Sequence, residues 1–192
     1  HGVLHMFEDN DVSNTITENW AFMPNEFLQN IPILRDNLAT SDKVYGIDGV
    51  ITSHIVDNNG NGVVDGDDKV WLFFGYRRGG SSYYAMDVTD PENPFVMWTI
   101  VGGEGGTSGF SELGQSWSQP KVIYSKLNAS GNQAKPVLLF GGGYSPTKDS
   151  HSIGGTGDPD PKGKAIYMVD AKEGTLLWSL ASDGDTNFDG TD

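Results

Sequence analysis

Residues 70–100, VWLFFGYRRGGSSYYAMDVTDPENPFVMWTI, and residues 137–180, VLLFGGGYSPTKDSHSIGGTGDPDPKGKAIYMVDAKEGTLLWSL, are two copies of one pattern, and that repeat decides the fold. Phe74-Gly75 aligns with Phe140-Gly141, and Tyr84, Met86 and Asp87 align with Tyr167, Val169 and Asp170. Met97-Trp98-Thr99-Ile100 aligns with Leu177-Trp178-Ser179-Leu180. A further apolar run precedes each copy, GVITSHIV at 49–56 and PKVIYSKL at 120–127. Each unit therefore reads as four short strands, the anatomy of a propeller blade. The turns agree: DVTDPENP at 87–94 and DAKEGT at 170–175 put Pro or Gly where the chain must reverse.

The expected fold class is all-β, a β-propeller of which this chain covers about two blades plus part of a third. VLHMFE at 3–8 repeats the third strand with Glu8 in the Asp position, so residues 1–46 read as the end of one blade plus an insertion. Within 9–46 a short helix is expected around Asn25 to Gln29, entered after Pro24, in place of a standard strand. Residues 47–100 form the next blade, 113–181 the one after, and 182–192 the start of the following connection. Opening in the apolar run HGVLHMF and stopping in DGDTNFDGTD, the chain reads as a piece of a longer protein, with any targeting signal outside it. The tryptophans are expected to pack between neighbouring blades.

Composition narrows the function. Glycine, at 26 of 192 residues, is about twice its usual share of roughly 7%, as many tight turns require. Twenty-six acidic residues against 12 basic ones give a formal charge of −14, which repels phosphate and disfavours nucleic acid and anionic membrane as partners. The absence of cysteine excludes disulfides, thiolate zinc sites and cysteine nucleophiles. No run approaches the roughly 18 apolar residues of a membrane helix.

One segment carries chemistry. DNNGNGVVDGDD at 57–68 fits the calcium-loop pattern, in which alternate residues of a curled loop supply the hard oxygens that calcium prefers. Asp57, Asn59 and Asn61 stand at positions one, three and five, and Gly62 makes the turn at six. Val63 offers its carbonyl at seven, Asp65 reaches the metal directly or through water at nine, and Asp68 stands at twelve. Asp at twelve is shorter than the usual Glu, which leaves two ways to close the site, through Asp68 or through Asp65. The few carboxylates point to the weaker, extracellular end of calcium affinities, and strands on both sides exclude an EF-hand. A second alternating run, Asp183, Asp185, Asn187 and Asp189, lacks the glycine at six.

No catalytic residue can be named. The glycine runs at 102–109 and 141–143 lack a following Lys-Ser/Thr and read as turns. His1, His5, His54 and His151 have no metal-ligand spacing, and no G-x-S-x-G elbow occurs.

Taken together, HGVLHMFE, AFMP at 21–24, the calcium loop, YYAMDVTDPENPFVMW at 83–98 and LGQSWSQPKV at 113–122 resemble the C-terminal β-propeller of the PilY1/PilC family of type IV pilus biogenesis factors. The similarity spans most of 1–181. It implies a modified, seven-bladed propeller when intact, on a secreted protein at the outer membrane or pilus tip. It also implies pilin or minor pilin subunits, or a host or abiotic surface, as partners, and calcium control of pilus extension, retraction and adhesion. The family's nine-residue loop D-x-D-x-N-x-x-x-D corresponds to Asp57, Asn59, Asn61 and Asp65, with Asn59 replacing an Asp. An RGD motif found in some members is absent. Two other readings share parts of the pattern: a quinone (PQQ)-dependent dehydrogenase propeller, whose adjacent cysteines are missing here, and a carbohydrate-binding propeller with Trp117 as its platform.

Overall fold

The computed structural model describes residues 2–37, 43–150 and 162–181. Strands β1 (Leu4–Asn10) and β2 (Thr15–Phe22) form an antiparallel hairpin. A 3₁₀ turn (Asn25–Asn30) and a short helix α1 (Ile31–Asp36) follow. Strands β3 (Thr52–Val56), β4 (Lys69–Gly75), β5 (Ser82–Asp87) and β6 (Phe95–Val101) make one antiparallel sheet in sequence order. A second sheet has the same order: β7 (Lys121–Ser130), β8 (Gln133–Gly141), β9 (Ala165–Asp170) and β10 (Leu176–Ala181). This is an all-β architecture of two four-stranded blades and a two-stranded part of a third.

The repeat read from the sequence is a repeat of register. Phe74 pairs with Tyr84 in one blade and Phe140 with Tyr167 in the next; Trp71 pairs with Asp87 and Val137 with Asp170. The expected turn of helix at 25–29 is the 3₁₀ turn, which begins directly after Pro24. Residues 15–22 differ from the expectation of an insertion, because they form β2. Their side chains are mostly exposed, so the alternation that marks a strand is faint. The signal is the spacing from Glu8 to Trp20, close to that from Asp87 to Trp98.

Strands β4 and β5 are apolar on both faces because both faces are covered. Trp71, Phe73, Tyr83 and Ala85 point toward the following blade and meet Leu138, Phe140, Tyr167 and Val169. Phe74, Tyr76, Tyr84 and Met86 point the other way and meet Leu4 and Phe27, with Trp20 and Phe22 packed alongside. The β3–β6 blade thus uses the period of two to bury one side against its predecessor and the other against its successor.

A tryptophan fixes each joint. Trp20 Nε1 donates to the Pro91 carbonyl at 2.9 Å, and Trp98 Nε1 donates to the Ala171 carbonyl at 3.0 Å. Both acceptors lie in the turn between the third and fourth strands of the next sheet. Indole thus supplies apolar area to the joint and a directed donor at its rim. Trp98→Phe keeps most of the area and removes the donor, so an unfolding free energy lower by about 0.5–1.5 kcal/mol is expected in urea denaturation.

The linker between the blades is tied into the joint. The Tyr76 N–H donates to Ser116 Oγ at 2.7 Å, and that hydroxyl donates to the Gly80 carbonyl at 3.1 Å. The Tyr83 hydroxyl donates to the Ser118 carbonyl at 2.6 Å. These contacts place residues 113–118 across the end of the sheet where β4 finishes and β5 begins.

Candidate metal centre

The loop 57–68 joins the end of β3 to the start of β4, so the antiparallel pairing of Val56 with Lys69 holds its two stems together. Inside that clamp the chain winds on its own side chains. Asp57 accepts from the Gly60 N–H at 2.6 Å through one carboxylate oxygen and from the Gly62 N–H at 2.8 Å through the other. Asn59 Oδ1 accepts from the Asn61 N–H at 2.9 Å, and Asn61 Oδ1 accepts from the Val63 N–H at 2.7 Å. These short side-chain-to-backbone bonds curl the backbone and bring Asn59 and Asn61 within hydrogen-bond reach of Asp65.

Asp65 closes the curl. Its two oxygens accept from Asn59 Nδ2 and Asn61 Nδ2, each at 2.8 Å. Two carboxamides thus aim positively polarised hydrogens at a carboxylate. Asp68 sits apart, 2% exposed, and its two oxygens accept from the Asn58 N–H at 2.8 Å and the Asp65 N–H at 3.2 Å. With both oxygens engaged on the backbone, Asp68 clasps the neck of the loop. Val63 is 60% exposed at the tip.

The hydrogen bond from the Gly62 N–H, with lesser ones from Gly60, Asn61 and Asn59, holds the Asp57 carboxyl below its ordinary value of 3.8 against the opposing effect of desolvation. A depressed folded-state value contributes stability above 3.8 that is lost as pH falls through the lower value. Acid titration followed by NMR of the Gly60 and Gly62 amides is expected to show the loop loosening below that pH, with the sheet amides unmoved.

The donor set suits a hard cation. Asp57 and Asp65 offer carboxylate oxygens and Asn59 and Asn61 offer carboxamide oxygens; the two Nδ2 groups face Asp65, so both carboxamides would turn for their oxygens to share an ion with it. Among the described residues no cluster of three or more His, Cys, Asp or Glu side chains has metal-binding geometry. The run Asp183 to Asp189 lies outside the described residues, as do His1 and His151.

Neither a family model nor a curated protein matches the sequence. The chain is similar to a solved structure, the crystal structure of the Pseudomonas aeruginosa PilY1 C-terminal domain, with a TM-score of 0.56 and 23% identity over 96% of this chain. It has the fold of the PilY1 C-terminal domain. The family resemblance carried by the sequence motifs and the structural likeness therefore point to the same propeller. The chain spans 29% of the length of the PilY1 structure. Among the described residues no helix is long and apolar enough to cross a membrane.

Proposed function

We propose that this chain is a calcium-binding, non-catalytic propeller module of a type IV pilus assembly or adhesion protein, displayed outside the cell at the outer membrane or pilus tip. The observation that carries the reading is the wound loop at 57–65 on a propeller frame similar to that of PilY1. Asp57, Asn59, Asn61 and Asp65 would hold the cation, with the Val63 carbonyl available to the same set, and Asp68 would keep the neck of the loop closed. A bound cation supplies the positive charge on which the oxygens converge. The residues themselves do the rest: the turn at Gly62 and the clamp between Val56 and Lys69 fix the loop as a rigid feature at the edge of a blade. A rigid edge suits contact with pilin subunits or with a host or abiotic surface.

Two carboxylates give weak binding, on the order of 10⁻⁴–10⁻³ M, which suits the calcium of an extracellular medium. The test is calorimetry of calcium on the intact protein, beside the Asp57→Ala, Asp65→Ala double variant and with magnesium as competitor. Saturable binding in the parent, lost in the variant and resistant to magnesium, is the expected result. No saturable heat in the parent would remove the metal. Twitching motility and surface attachment unchanged in the double variant would remove the regulatory part and leave a merely stabilising ion.

A further inference from the structure

The end of the sheets opposite the calcium loop carries a different kind of site. There Arg78 lines two adjoining cavities at the joint between the blades. The larger, about 730 Å³, is walled by Trp117, Ser118, Tyr144 and the glycines that end β8. The smaller, about 410 Å³, is walled by Gln115, Ser145, Thr147 and Lys162. Among the described residues no carboxylate lines either one. In a chain with 26 acidic residues against 12 basic ones, two cations with no acid among the described lining residues are a local reversal of charge.

The arginines are set with care. Arg77 lies over the Trp117 ring with Cζ at 4.4 Å from the centroid and pairs with Asp48 at 3.6 Å. Arg78 lies 5.9 Å from the same ring and 5.8 Å from that of Tyr45, and it has no carboxylate partner among the described residues. Its guanidinium is thus positioned by aromatic rings and left with its donors unspent on any acid. Arg77 takes a left-handed backbone, φ 51°, which a side-chain-bearing residue adopts at a cost of about 1 kcal/mol or more. The turn is held there by the Arg77 N–H to the Ser116 carbonyl at 3.3 Å and by Gln115 Nε2 to the Arg78 carbonyl at 3.3 Å. Trp117 carries Arg77 over its ring and also lines the larger cavity, and it is 37% exposed.

We propose that this pair of cavities binds a carboxylate-bearing sugar, with Arg78 taking the carboxylate and Trp117 the ring. A guanidinium fork matches a carboxylate with two parallel hydrogen bonds. Indole offers an apolar surface to the C–H face of a pyranose. Ser118 and Thr147 offer hydroxyl groups at the walls, and the combined space fits a mono- or disaccharide within the usual range of small-molecule sites. An acidic peptide would call for cations spaced along a groove, whereas among the described residues Arg78 and Lys162 are the cations lining these walls.

The test uses the intact protein and the methyl glycosides of glucuronic and N-acetylneuraminic acid, read by calorimetry and by tryptophan fluorescence. At least one acidic sugar is expected to bind saturably, and methyl glucoside at least tenfold more weakly. Arg78→Ala is expected to weaken binding at least tenfold at an unchanged melting temperature, since the side chain is exposed; Trp117→Ala should weaken it as much, and Arg78→Lys less. If Trp117→Ala fails to fold, Arg78→Ala and the loss of affinity with added salt decide. No binding of either acidic sugar, or binding undiminished in Arg78→Ala, would overturn the proposal. So would displacement by a glutamate-rich peptide of higher affinity, which would assign the cavities to an acidic peptide.

Discussion

Phe73→Ala is expected to lower the unfolding free energy by about 3–5 kcal/mol, read as a shift of the urea midpoint at unchanged slope in the intact protein. Phe73 is fully buried on the face of β4 that meets the next blade. Its ring stacks on Trp98 at 6.0 Å and meets Trp71 edge-on at 6.5 Å, so truncation removes one wall from two indoles at once. The two sheets approach each other through these rings, and relaxation of either backbone is limited by its own hydrogen-bonded ladder. The cavity therefore stays open, which places the cost in the upper part of the range for such truncations. Phe95→Ala, at a residue 58% exposed on β6, is the matched control and is expected to move stability by no more than about 0.5 kcal/mol.

The second large effect belongs to Gly143. A Cβ there would lie 2.0 Å from the Gln115 carbonyl oxygen, at a backbone φ of 82°. Gly143→Ala therefore combines left-handed strain of about 1 kcal/mol with a forced separation of backbone from backbone, costing about 1–3 kcal/mol more. The displaced segments are those joined by the isolated bridge of Gln115 with Tyr144, so the variant should also disturb the wall of the larger cavity. Gly62→Ala separates the two costs. Gly62 has a similar φ, 76°, with nothing within 4 Å of the added carbon. Its loss of about 1 kcal/mol should come from the backbone alone. Equal losses in the two variants would show that the close approach at Gly143 relaxes freely.

Much of this was legible because propeller strands are short, repeated and buried on both faces. The pairing of Phe74 with Tyr84, and of Phe140 with Tyr167, follows from aligning the two copies. Likewise the loop at 57–68 announces itself by composition, since the residues that wind it are the residues that would ligate. Strand β2 was hidden because its side chains face solvent and only Trp20 marks it. The role of Asp68 was hidden for another reason. Spacing gives it a place in a ligand series, and its burial and its bonds from the backbone N–H groups of Asn58 and Asp65 become visible only in the fold. The charge reversal around Arg78 has no local signature at all, because its walls come from Arg78, Trp117, Tyr144 and Lys162, which only the fold brings together.

The tryptophan joints also impose a direction on how damage spreads. Trp20 reaches forward to the turn at Pro91, and Trp98 reaches forward to the turn at Ala171, so each turn anchors the blade behind it. A lesion in the turn at 171–174 should therefore loosen the grip of the blade before it, leaving the joint at Pro91 intact. In an array coupled only between neighbours, weakness travels one step at a time. Here the step runs against the chain: failure is handed from a later blade to an earlier one, like a dropped stitch that unravels toward the start of the row.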